Sequence, residues 1–119
     1  MSNIKVVVQR SKWLRGEGTS ASKLLRPSDG KMCCLGFACL ALGATEAQIK
    51  GAASPADVVD VSENLLPIRH RVRENGRWHP EAISDAMVIN DAQGITDAQR
   101  EPELVALLAR VGIDLEFVD

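Results

Sequence analysis

Three cysteines and two histidines are the residues of this chain best suited to chemistry. Cys33, Cys34 and Cys39 crowd into one apolar stretch, MCCLGFACLAL (Met32 to Leu42), and His70 and His79 lie well downstream. Thiolates and imidazoles are the usual zinc ligands, and structural zinc sites present them in pairs two to four residues apart, twice over. This spacing does not. On a helix, neighbouring Cys33 and Cys34 diverge by about 100°, and Cys34 falls on the wrong side to join Cys39. Only Cys33 or Cys39 with the two histidines could assemble a site. No Cys-x-x-Cys is present, and burial among Leu and Phe disfavours a thiolate. The cysteines therefore read as small hydrophobes filling a core. No metal and no cofactor are expected, and a structural zinc protein stands as an alternative.

Carboxylates come next. His79, Glu81 and Asp85 surround the start of one helix, with Glu81 and Asp85 on a shared face. Acids at that place complement the helix dipole without any catalytic role. The glycines of RGEG (Arg15 to Gly18) lack the lysine and the spacing of a phosphate-cradling loop. No catalytic residue is assigned, and the protein reads as a non-enzyme.

Charge carries more information. The formal net charge is −2, but residues 1–32 sum to +5 and residues 79–119 to −7. Such a split implies a charged face that meets a partner, or two chain ends that lie together. Arg69, Arg71 and Arg73 would share one side of an extended segment and, with Arg77, make a phosphate-facing basic patch. The acidic set in the last third (Asp85, Asp91, Asp97, Glu101, Glu103, Asp114, Glu116, Asp119) is denser. Spaced carboxylates on a folded surface can imitate a phosphate backbone. Trp78, ahead of His79-Pro80, is a surface anchor or a staple for the next helix. The candidate partner-binding residues are Arg69, Arg71, Arg73, Arg77, Trp78, Asp97, Glu101, Glu103 and Glu116.

The elements that must position these residues follow from local pattern. Ile4–Gln9 is β-branched and reads as a strand. Ser11 to Ser22, rich in Gly and Ser, reads as an exposed loop or a ragged second strand, and Lys23 to Arg26 as a short strand. PSDG (Pro27 to Gly30) is a turn whose Ser28 or Asp29 can cap the cysteine helix. Within that helix Gly36 admits another backbone, and Gly43 ends it. TEAQ (Thr45 to Gln48) and TDAQ (Thr96 to Gln99) are capping boxes that open two helices. Ser54-Pro55 opens a brief turn, and Ser62 to Asn75 ends in a turn at Asn75-Gly76. Pro80 begins a helix with Ile83, Met87, Ala86 and Asn90 inward. In the last helix Pro102 forces a kink or a restart. The tail IDLEFV alternates as a half-buried strand.

A chain of 119 residues forms a single domain, 1–119. The expected fold is α+β: a short antiparallel sheet that includes the N- and C-terminal strands, packed with four to five helices. Aromatic residues are few (Trp13, Trp78, Phe37, Phe117), which argues against the base-stacking platforms of single-strand binders. No window approaches the roughly 18 apolar residues of a membrane span. No secretory signal is recognisable, and the cysteine count fits a reducing compartment.

CCLGFAC, with KWLRGEG before it and IND, ITDAQRE and GIDLEFV after it, resembles small proteins of tailed bacteriophages and prophages. The resemblance covers most of the chain and is softer between Gly51 and Gly76. It implies a setting, the cytoplasm of an infected bacterium, and no reaction. The expectation is a non-enzymatic effector, monomer or homodimer, that binds and blocks a host protein or ribonucleoprotein complex, most concretely as an anti-CRISPR-like inhibitor. Direct nucleic-acid binding through Arg69–Arg77 is the second reading.

Overall fold

The computed structural model describes residues 4–18, 23–52, 70–72, 76–78 and 81–119. Strand β1 (Ile4–Gln9) runs into a short 3-10 turn (Arg10–Lys12). Helices α1 (Cys34–Ala41) and α2 (Glu46–Ile49) come next, then a small hairpin, β2 (His70–Val72) and β3 (Gly76–Trp78). Helices α3 (Glu81–Asp91) and α4 (Asp97–Ala109) and strand β4 (Ile113–Val118) complete the order. The expectations at Ser54-Pro55, Arg69, Arg73, Asn75, His79 and Pro80 lie outside the described residues.

The class is α+β, and β1 does pair with β4, but the pairing is parallel, with Ile4 opposite Ile113 and Gln9 opposite Val118. The antiparallel expectation is corrected here, and the physical reason is simple. Alternation places Val6 and Val8 inward on one strand and Ile113 and Leu115 inward on the other, whichever way the strands run. Charge pairing is equally indifferent to direction: Lys5 reaches Glu116 at 3.0 Å in the parallel register. No hairpin turn joins these strands, so nothing local sets their sense. The antiparallel pair is β2 with β3, where Arg71 stands opposite Arg77 and His70 opposite Trp78.

Helix α1 is the centre of the domain. Cys34, Leu35, Gly36, Ala38 and Cys39 are buried in it, among Val6, Val8, Trp13, Leu24, Ile83, Leu104, Leu108 and Ile113. Gly36 has the predicted purpose: a β-carbon there would collide with the carbonyl oxygen of Leu24. Asp29 does not cap this helix. Its carboxylate accepts from the Lys31 N–H at 3.1 Å and pairs with Arg26, while Cys33 takes the N-cap position without a side-chain bond. Both capping boxes are formed, Thr45 with Gln48 and Thr96 with Gln99. Helix α4 passes through Pro102 without restarting.

In the segment after β1, read as an exposed loop or a ragged second strand, Trp13 and Leu14 are fully buried, which corrects the exposed reading, and Trp13 forms an isolated parallel bridge with Met32. Met32 bridges this segment through its backbone: its carbonyl accepts from the Leu14 N–H at 2.7 Å, and its N–H donates to the Lys12 carbonyl at 3.0 Å. A residue run that is loop-like in composition is thus stitched into the core.

Candidate binding surface

The thiols are structural. Cys33, Cys34 and Cys39 are buried and form no disulfide, and burial pushes the Cys33 thiol up to about 12 and that of Cys34 well above its ordinary value. A thiol held protonated in this way is a poor nucleophile and a poor ligand. Among the described residues no group of three or more His, Cys, Asp or Glu side chains could hold a metal ion.

Beside the thiols sits a buried polar group with four hydrogen bonds. Asn90, on the inner face of α3, is 1% exposed. Its Oδ1 accepts from Trp13 Nε1 at 2.9 Å and from the Cys34 N–H at 3.2 Å. Its Nδ2 donates to the Leu14 carbonyl at 3.0 Å and to Asp91 Oδ1 at 3.1 Å. One amide therefore ties α3 to the start of α1 and to the Trp13 segment. The Trp13 ring tilts against Phe117 of β4, centroids 4.5 Å apart, and carries the Arg15 guanidinium on its other contact at 4.5 Å.

Arg100 is the second buried polar group. It donates to the carbonyls of Ile89 (3.2 Å), Ala92 (2.7 Å) and Ile95 (3.3 Å) and pairs with Asp97 at 2.7 Å. It satisfies the carbonyls that end α3, where a cation also suits the helix dipole. Gly16 lies against this guanidinium at positive φ.

Much of the acidic surface named from sequence is occupied by the chain's own basic end. Arg10 grips Glu101 with two bonds, 2.9 and 2.8 Å, and reaches Asp119 at 2.9 Å. Arg15 grips Asp97 at 2.8 and 3.3 Å, and the Arg15 hydrogen bond holds the Asp97 carboxyl below its ordinary value. Glu116 is paired with Lys5. These contacts follow from the parallel sheet: with Gln9 opposite Val118, the next residues in line are Arg10 and Asp119. Of the four acids proposed for partner binding, Asp97, Glu101 and Glu116 are committed internally, and Glu103 has no ion pair among the described residues. In the basic set, Arg71 and Arg77 are brought together across the β2–β3 hairpin, with Trp78 at its end. Arg69 and Arg73 lie outside the described residues.

Glu103 leads to a feature the sequence reading missed. Helices α3 and α4, joined by five residues with Gly94 at positive φ, pack as a helical hairpin. Along it runs a groove of about 450 Å³ lined by Asp85, Val88 and Ile89 of α3 and Glu103, Ala106 and Leu107 of α4. Each wall is an acid followed at +3 and +4 by two apolar residues. Val88 is 67% exposed, a larger fraction than for the other exposed large hydrophobics, Ile4, Val7 and Val105. The signal was present as D-x-x-V-I and E-x-x-A-L on consecutive helices, but such pairs are usually read as the margin of a buried stripe.

No protein-family model, curated protein or solved structure matches this chain. No helix among the described residues is long and apolar enough to cross a membrane.

Proposed function

We propose that the protein is a non-enzymatic effector that binds a host protein or complex and blocks it, in its most concrete form as a counter-defence, anti-CRISPR-like inhibitor. The observation that supports a binding role is the α3–α4 groove. There, exposed Val88 and Ala106 stand with half-buried Ile89 and Leu107 beside two acids that have no ion pair among the described residues, Asp85 and Glu103, while the thiols, Trp13, Asn90 and Arg100 are all engaged in holding the fold. Exposed apolar residues gathered in a concave strip between polar rims are a common form of contact surface. The phage setting rests on the resemblance carried by Cys33–Cys39 and its flanking motifs. Action by occupying the partner requires no reactive group, in keeping with the depressed nucleophilicity of Cys33 and Cys34.

The alternative, direct nucleic-acid binding, is supported by the hairpin register, which sets two basic residues, Arg71 and Arg77, opposite each other. One experiment separates the readings. Tagged protein is used to capture partners from a bacterial host lysate, with and without nuclease, beside the Val88→Glu variant. A binding role through the groove predicts a specific partner retained after nuclease and lost with Val88→Glu. Identical capture by the variant removes the groove from the proposal, and capture abolished by nuclease favours the basic hairpin.

A further inference from the structure

Counted along the hairpin, Asp85 lies nine residues before Gly94 and Glu103 nine after it. On two antiparallel helices such positions are level, so the two carboxylates line opposite walls at the middle of the groove. Val88 and Ile89 then lie toward the turn, and Ala106 and Leu107 toward the far end. Each apolar pair is offset from the carboxylates by three to four residues, about 5 Å at 1.5 Å per residue, which is close to one helical turn. The groove therefore repeats, along its axis, the order apolar, anionic, apolar with the period of an α-helix.

We propose that the groove's occupant is a basic amphipathic helix of the partner, with one Lys or Arg seated between Asp85 and Glu103 and apolar residues one turn to either side of it. The inference rests on the binding role proposed above and adds the chemistry of the partner. Charge complementarity selects this occupant. Asp85 and Glu103 are exposed and have no ion pair within 4.0 Å among the described residues, in contrast to Asp97, Glu101 and Glu116. An incoming cation would have two acceptors without displacing an existing partner. An acidic or purely apolar helix would bring like charge against the carboxylates or leave them desolvated and unpaired, which disfavours both. Recognition by anchors at i, i+3, i+4 and i+7 is the usual mode of a helix in a groove.

The probe is a labelled, helix-favouring synthetic peptide carrying Lys with Leu one turn before and one turn after it on the same face, and a twin with Glu in place of Lys. Binding to the full chain is followed by fluorescence anisotropy. The Lys peptide should bind the wild type at least about tenfold more tightly than the Glu twin, and more weakly as salt rises. The double variant Asp85→Lys, Glu103→Lys should reverse the order of the two peptides, and Val88→Glu should abolish binding of the Lys peptide. All three positions are exposed, and circular dichroism is to be run on each variant to check that it folds. Equal binding of the two peptides, an order unchanged by the charge reversal, or no saturable binding overturns the proposal. So does sedimentation showing that the wild type dimerises through this face and that Val88→Glu dissociates it, which would make the occupant a second copy. If the peptides fail while Val88→Glu still abolishes capture from lysate, the binding role stands and the basic helix falls.

Discussion

At the scale of single residues, Asn90 sets the most demanding requirements. Its amide serves Trp13 Nε1, the Cys34 N–H and the Leu14 carbonyl, all in the interior. Removing the amide leaves those groups buried and without that partner, and each unsatisfied group costs about 1–3 kcal/mol. Asn90→Ala should therefore destabilise the fold by about 3 kcal/mol or more, read as a lower denaturant midpoint with an unchanged slope. A loss under about 1 kcal/mol would mean that the three groups find other partners. Helical periodicity alone placed Asn90 inward. It could not name Trp13, 77 residues away in sequence, because the segment around Trp13 has the Gly and Ser content of a loop. Its burial is decided by a distant partner, and no local pattern encodes one. Arg100 was missed for the same reason: a cation on a helix reads as surface until the carbonyls it satisfies are known.

Elements were legible where their determinants are local. Capping boxes close within three residues, so TEAQ and TDAQ located the starts of α2 and α4; β-branched composition located β1, and period-two alternation located β4. The direction of the β1–β4 pairing was not legible, since alternation and charge pairing survive reversal of a strand. Gly36 is intermediate: its residue type announced a close approach, and the structure supplies the neighbour, the Leu24 carbonyl. Two effects oppose each other in Gly36→Ala. Alanine favours the helix by about 1 kcal/mol, whereas forcing a methyl into backbone that cannot withdraw costs about 1–3 kcal/mol and occasionally more. Because the obstacle is a carbonyl of the segment bonded to Ala52 and Cys33, the clash should win. The expected outcome is a net loss of about 2 kcal/mol in chemical denaturation, and a stabilised variant would contradict the packing of α1 against Leu24.

Across the whole molecule, the uneven charge of the sequence has two consequences that composition could not separate. Part of it is self-complementary, as the basic start of the chain, through Lys5, Arg10 and Arg15, is paired with the acidic end. Another part, at Asp85 and Glu103, faces the groove. The first part predicts how stability depends on pH. The Asp97 carboxyl is held below 3.8 in the folded chain, chiefly by Arg15, and Asp29 is lowered from 3.8 to about 2 by Arg26. A carboxyl whose folded value lies below its unfolded one stabilises the fold above the unfolded value, and that contribution disappears as pH falls through the folded one. Thermal stability should thus be nearly level from about pH 7 to 5 and decline from about pH 4 toward 2. Asp97→Asn keeps an acceptor for Arg15 and Arg100 but cannot titrate, so the variant should be less stable at neutral pH and show a shallower acid decline. Melting temperatures of both proteins across this range decide the matter: parallel curves would mean that the Arg15–Asp97–Arg100 contacts carry no linked proton and that Asp97 has no part in the acid decline.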